Sequence, residues 1–256
     1  MEEKIKVSVI LKTKNNEEKI CETLESIKDF DEIIVLDEHS ADDTVEIAKE
    51  YKAKIIYADK NDFSIAQNQA LNEAKNDWIF VLEENEIIPQ KLVFEIQKYI
   101  SNPKKNKNAV SFYQKSFYLN KEIKSALEKN ILRLFKKESA EFLNDFSLEL
   151  KLKSGKIHKI KPNRNAKNAY ILKFIEADII KSISDILEKT RNIYKNADKI
   201  SSSVFLKPCF DFFNWYILKG AFLDGRRGFI FAKKKYIESF VLQIMILEKG
   251  AKNDLR

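Results

Sequence analysis

The chain has 256 residues, 44% of them hydrophobic, and a formal net charge of +7, enough to bury one substantial core plus a smaller appendage. Two cysteines, Cys21 and Cys209, are too few for a disulfide framework, which points to a reduced compartment. The opening Met1-Glu2-Glu3-Lys4 lacks the basic and apolar regions of a signal peptide, and no run of about twenty apolar residues occurs, so a cytoplasmic chain that does not span a membrane is expected.

The first element is the apolar run Lys6-Val7-Ser8-Val9-Ile10-Leu11, a strand that breaks at Thr13-Lys14-Asn15-Asn16-Glu17. Ile20, Leu24 and Ile27 then recur at helical intervals, with Cys21 expected on the apolar side beside Leu24. A second strand, Ile33-Ile34-Val35-Leu36, ends at Asp37-Glu38-His39-Ser40-Ala41-Asp42-Asp43-Thr44, and Val45, Ala48 and Tyr51 mark the next helix. Ser40 or Asp42 can accept the free amide hydrogens of that helix, and its acidic first turn suits the positive end of the dipole. A third strand, Lys54-Ile55-Ile56-Tyr57, precedes a helix near Phe63 to Ala74. A fourth strand, Trp78-Ile79-Phe80-Val81-Leu82, ends at Glu83-Glu84-Asn85-Glu86. Short β-branched runs alternating with helices predict parallel β-α-β units, and such sheets bind ligands beyond the carboxyl ends of their strands. The polar clusters after strands one, two and four stand where a site belongs.

All five glycines lie beyond residue 154, so no glycine-rich loop can wrap a phosphate, and dinucleotide-type and P-loop readings both fail. A bound nucleotide would rely on side chains and metal. Residues 1–100 hold 13 Lys/Arg against 23 Asp/Glu, a net of −10, so the remaining 156 residues carry +17 to give the total of +7. The acidic half suits a cation; the basic half suits an anion such as nucleic acid, anionic lipid or a phosphorylated substrate, or is a set of solvated helix faces. Ser101 to Asn108 reads as a solvated loop closing the first half.

The succession Ser8 to Asn15, Glu32 to Asp37, Ser40 to Thr44 and Asn76-Asp77-Trp78 resembles the nucleotide-sugar domain of family 2 glycosyltransferases. Leu132-Arg133-Leu134-Phe135-Lys136-Lys137 and Gly220 to Phe229 are similar to segments of the lipopolysaccharide core β-1,4-glucosyltransferase branch. The resemblance implies an α/β fold of the GT-A type: a nucleotide-sugar domain with a mostly parallel sheet over residues 1–150, and a basic, mainly helical extension over 151–256. It implies sugar transfer, with inversion, from a nucleotide diphosphate donor to a lipid-linked oligosaccharide or lipopolysaccharide core acceptor. By position it assigns Thr13, Asn15, Glu17, Asp37 and Asn68, with Phe63 ahead of it, to the donor pocket. Carboxylates there can accept bonds from a base amide and from ribose hydroxyls. Asp42 and Asp43 read instead as the charged start of a helix.

The departures from the family pattern concern the chemical centre. Where the family has Asp-x-Asp, this chain has Glu83-Glu84-Asn85, followed by Glu86. Glu83 and Asn85 can offer oxygen ligands to Mg2+ or Mn2+, with Glu84 toward the donor, although glutamate reaches one methylene further than aspartate and magnesium tolerates little geometric error. Such a cation would offset charge on the departing diphosphate. Gln67 stands where arginine or lysine often precedes the asparagine, and the glycine usual after Asp37 is replaced by Glu38. Arg133 is the acceptor-side candidate. Asp145 and Glu149, the acids that follow it, are the candidates for the base an inverting displacement needs, set against the alternative of exposed surface acids. His39 and His158 are too far apart in sequence to suggest a metal set.

In the C-terminal region, Phe205, Phe210, Phe212, Phe213, Trp215, Tyr216, Phe222, Phe229, Phe231, Tyr236 and Phe240 are interleaved with Lys207, Lys219, Arg226, Arg227 and Lys233 to Lys235. These rings either form a platform at an anionic inner-membrane surface, making the chain peripheral there, or pack onto the sheet. Stacking of single-stranded nucleic acid is disfavoured by the acidic half and by the absence of an RNA-binding motif. The altered Glu83-Glu84-Asn85 cluster keeps open a non-catalytic relative that binds a nucleotide sugar or an assembly partner.

Overall fold

The apolar runs fold as strands whose alternate residues serve two cores, one on each face of a sheet. In the computed structural model, which describes residues 3–59, 63–142, 150–160, 170–175, 187 and 206–254, the first half runs β1 (Ile5–Thr13), α1 (Ile20–Ile27), β2 (Phe30–Asp37), α2 (Thr44–Glu50), β3 (Lys54–Tyr57), α3 (Phe63–Glu73), β4 (Trp78–Glu83), β5 (Glu86–Ile87) and α4 (Gln90–Ser101). It continues through β6 (Lys107–Tyr118), β7 (Lys121–Lys136), β8 (Ala140–Phe142), β9 (Leu150–Leu152), β10 (Lys156–Lys159) and β11 (Ile171–Ile175) to α5 (Leu206–Phe213) and α6 (Gly225–Asp254). The main sheet has the order β3-β2-β1-β4-β7-β6-β11-β5, with β10 paired to β6, and β8 and β9 form a separate pair. β3, β2, β1 and β4 are mutually parallel. β7 joins β4, and β5 joins β11, in antiparallel fashion. The expected parallel α/β unit is present, and the sheet extends beyond it.

The chain divides into two compact units interleaved in sequence: residues 1–115 with 128–173, and residues 116–127 with 174–256. The sequence reading placed a single boundary at residue 150.

In the first unit, Val7, Val9 and Leu11 of β1, Ile33 and Val35 of β2, and Trp78, Phe80 and Leu82 of β4 pack with Leu24 of α1 and Leu92 and Ile96 of α4. Ile10, Ile34, Leu36, Ile79 and Val81 point the other way, into a core with Phe63, Ala66 and Ala70 of α3. Helices on both faces explain why these strands read as continuous apolar runs. Each fully buried Ile, Leu or Phe contributes about 2 kcal/mol.

One local expectation is corrected, and one is decided between its two alternatives. Cys21 is exposed, with Sγ 3.2 Å from the Tyr51 hydroxyl, because α1 buries Ile20, Thr23, Leu24 and Ile27 and Cys21 falls off that stripe. At the start of α2, Asp42 Oδ1 accepts the Thr44 amide at 3.2 Å, while Ser40 is engaged elsewhere.

In the second unit, Leu119 and Asn120 turn the β6–β7 hairpin with φ of 49° and 57°, the conformation a two-residue type I′ turn requires. Asp224 accepts the amides of Lys124 at 3.2 Å and Ser125 at 3.0 Å. A Cβ on Gly228 would lie 1.8 Å from the Ala221 carbonyl oxygen, so only glycine lets α6 start against that turn. Some apolar side chains of this region pack inward and others are exposed. Trp215 and Phe231 pack against Tyr118, Ile123 and Ala126, whereas Leu206, Phe210, Phe213, Leu218, Phe222 and Leu223 are exposed.

Candidate functional site

Strand register brings the polar clusters to one edge. Thr13 pairs with Asp37, Asp37 with Tyr57, and Lys12 with Glu83, so β1, β2, β3 and β4 end nearly flush. The loops after β1 and β2 are joined by reciprocal bonds. The Asn15 amide donates to Ser40 Oγ at 2.9 Å, and the Ala41 amide returns a bond to Asn15 Oδ1 at 2.8 Å. The Glu17 amide donates to Asp42 Oδ2 at 3.1 Å, and the Asp43 amide donates to Glu17 Oε2 at 3.1 Å. Asn15 holds a left-handed φ of 45°, which asparagine tolerates better than most residues. Asp37 is fully buried and accepts the Ser40 amide at 2.8 Å, together with the Ser40 hydroxyl. Burial pushes the Asp42 carboxyl up, but bonds from Thr44 and the Glu17 amide outweigh it and hold it below the usual carboxylate range. The candidate donor residues therefore order the two loops.

The turn after β4 is stitched to the first of these loops. Glu84 Oε2 accepts the Lys14 amide at 2.7 Å and the Thr13 hydroxyl at 3.3 Å. The Glu84 carbonyl accepts Asn16 Nδ2 and Thr23 Oγ1, each at 3.0 Å. Asn85 Oδ1 is buried and has no hydrogen-bond partner among the described residues.

Beneath this turn lies a charged quartet. Glu86 is fully buried; its Oε2 accepts the Glu83 amide at 3.0 Å and its Oε1 accepts Arg133 Nη2 at 2.6 Å and Gln114 Nε2. Glu83, about one-third exposed, is bonded through Oε2 to Lys173 Nζ and lies through Oε1 3.7 Å from Arg133. The Lys173 ammonium, followed by Arg133, holds the Glu83 carboxyl well below the usual carboxylate range. Burial pulls Lys173 and Arg133 down, but the facing glutamates outweigh it and shift both up. Lys12 adds a further cation, bonded to Glu38 at 2.6 Å and lying 4.6 Å over the Phe63 ring.

This quartet does not fit a divalent ion at Glu83. Both carboxylate oxygens already face cations, and among the described residues no three His, Cys, Asp or Glu side chains converge as ligands. The expectation that Glu83 and Asn85 hold Mg2+ or Mn2+ therefore meets a site whose negative charge is already offset.

The structure brings together Thr13, Asn15, Glu17, Asp37, Glu83, Glu84 and Asn85. Asn68 lies on the exposed side of α3, whereas the neighbouring Gln67 is buried. Arg133 is buried and paired with Glu86. Asp145 and Glu149 lie outside the described residues. Sequence reasoning passed over Lys173, Gln114 and the role of Glu86. The available signal for Lys173 was a single cation inside the apolar run Tyr170 to Ile175.

The geometry can be set beside known proteins. The model of glycosyl transferase family 2 matches residues 8–153. An uncharacterised glycosyltransferase of Rickettsia typhi is 27% identical over 248 residues, covering 92% of this chain and 82% of that protein. The crystal structure of TarS from Staphylococcus aureus superimposes with a TM-score of 0.51 at 15% identity, covering 93% of this chain and 55% of that chain. This likeness concerns the fold, which is GT-A-like: a mixed α/β sheet followed by C-terminal helices. A glucosyl-3-phosphoglycerate synthase from Mycobacterium tuberculosis, solved with Mn2+, uridine diphosphate and phosphoglyceric acid, gives a TM-score of 0.34 at 22% identity over 44% of this chain and 43% of that chain.

Proposed function

The chain belongs to glycosyl transferase family 2, and from that premise we propose that it transfers a sugar from a nucleotide diphosphate donor, bound at the carboxyl edge of β1, β2 and β4, to a glycolipid or oligosaccharide acceptor. The observation that carries this reading is the flush ending of Thr13, Asp37 and Glu83, with the flanking loops tied together through Asn15 and Glu17. Such tying preorganises a rim of carboxylates and amides that can face a base and ribose hydroxyls. In the proposed step, the acceptor hydroxyl oxygen attacks the anomeric carbon and the bond from that carbon to the phosphate oxygen breaks. The electron pair leaves with the nucleoside diphosphate. The hydroxyl proton passes to a carboxylate base, Asp145 or Glu149, and attack from the face opposite the leaving group inverts the centre. Arg133, which the resemblance puts on the acceptor side, is buried against Glu86 and 3.7 Å from Glu83, so it would act there only by positioning those carboxylates.

The exposed apolar and basic side chains of the C-terminal unit are what support a lipid-linked or lipopolysaccharide core acceptor. The exposed side chains Leu206, Phe210, Phe213, Leu218, Phe222 and Leu223, with the cations Lys207, Lys219 and Arg226 among them, suit the anionic inner face of a membrane. No helix among the described residues is long and apolar enough to cross one.

The ion-paired state of Glu83 favours a second reading, a non-catalytic relative that binds a nucleotide sugar or an assembly partner. Incubation of the full chain with a panel of uridine and guanosine diphosphate sugars, and an oligosaccharide or glycolipid acceptor fraction, separates the two. Acceptor-dependent release of nucleoside diphosphate is the expected result. Nucleotide-dependent thermal stabilisation without release supports the non-catalytic reading, and no stabilisation by any nucleotide rules out the donor site.

A further inference from the structure

The side-chain arrangement at Glu83 points to a different way of meeting a diphosphate. Lys173 stands in β11 opposite Glu86 in the register of β5, and its side chain reaches Glu83 at the end of β4. Glu83 and Glu86 face Lys173 and Arg133, so two carboxylates are balanced by two cations without any ion from solution. The two cations are not equivalent. Arg133 is 93% buried and tied to Glu86, whereas the Lys173 side chain is 27% exposed and that of Glu83 beside it 34%. An ammonium on a flexible four-carbon stem can turn from a carboxylate toward a phosphate oxygen. The buried guanidinium stays behind when it does, bonded to Glu86 and 3.7 Å from Glu83.

We propose that Lys173 is the group that meets the donor's diphosphate, in the place a divalent cation would take, so that this chain binds nucleoside diphosphates without metal. The proposal rests on the reading of the β1, β2 and β4 edge as the donor site. Lys173 approaches that edge through Glu83, the residue that ends β4 in register with Lys12. As charge develops on the departing diphosphate, the ammonium that meets it is protonated, because its facing glutamates favour that form. The other two members act as positioning residues: Glu83 parks the ammonium before the donor arrives, and Arg133 keeps the vacated carboxylate from standing alone.

Isothermal titration of the full chain with uridine diphosphate and with guanosine diphosphate, in excess EDTA and again with Mg2+ or Mn2+, tests this. Whichever nucleotide binds is expected to bind within about twofold in the two conditions. Loss of a charge-assisted bond to phosphate predicts that Lys173→Gln weakens binding roughly tenfold or more, while Lys173→Arg retains most of it. Glu83→Gln removes a negative charge beside the diphosphate and is expected to tighten binding in EDTA; a metal-holding Glu83 predicts the reverse in Mn2+. Circular dichroism of each variant separates loss of the contact from loss of the fold. Binding that rises tenfold or more with Mn2+ in the natural chain, or a folded Lys173→Gln with unchanged affinity, overturns the proposal alone. No binding of either nucleotide in any condition overturns the donor-site reading and this proposal with it.

Discussion

The most stringent test of the quartet is removal of one buried charge with almost no change in shape. Glu86→Gln keeps the side-chain length but takes the negative charge from a fully buried position that accepts Arg133 Nη2 at 2.6 Å and the Glu83 amide at 3.0 Å. Breaking a buried ion pair from one side leaves the other charge uncompensated, at a cost of about 3–5 kcal/mol. Arg133 retains a longer contact to Glu83 at 3.7 Å, so the expected loss lies at the lower end, about 3 kcal/mol. For a chain of this size that lowers the melting temperature by roughly 6–12 °C. The assay is urea and thermal unfolding followed by circular dichroism, with a double-mutant cycle in which Glu86→Leu is combined with Arg133→Met. Replacing both charges with apolar side chains of similar volume leaves neither charge of the pair uncompensated, so the double variant should be more stable than Glu86→Leu alone. A loss below about 1 kcal/mol for Glu86→Gln, or a double variant no more stable than the single, refutes the view that these charges depend on one another.

Two further outcomes follow from the same geometry. Glu83 and Asp42 are held below their ordinary pKa in the folded chain, so the stability they contribute is fully present above the unfolded carboxylate range near about pH 4 and is lost as pH falls through the lower folded values. Urea midpoints measured from about pH 7 down to about pH 2 should fall more steeply below about pH 4 for the natural chain than for Glu83→Gln, and equal slopes remove Glu83 from the account. At the second unit, the chain should sediment with vesicles rich in anionic lipid and be released by salt, and Lys207→Gln with Arg226→Gln should weaken this by about 1 kcal/mol for each charge near the surface. Equal binding to neutral vesicles, or none, leaves the exposed aromatics of α5 without a membrane role.

What the chain alone determined is what local chemistry controls. Apolar runs marked β1, β2, β3 and β4, and helical spacing marked α1, α2 and α3 within a residue or two, because each of these elements carries its own periodicity. The polar clusters at Thr13 to Glu17, Asp37 to Thr44 and Glu83 to Glu86 were legible for the same reason: a strand must end before its loop can hold polar groups. The tertiary structure decided how those groups are used. Asn15 and Glu17 reach across to Ala41 and Asp43, Asn68 turns outward from α3, and Cys21 leaves the apolar stripe of α1. Above all, Lys173 comes to Glu83 across 90 residues of chain, and Gln114 and Arg133 come to Glu86. Periodicity records whether a position faces a core or solvent. It does not record which distant opposite charge will offset a buried one, and at this strand edge that choice decides whether a metal ion or a lysine stands beside Glu83.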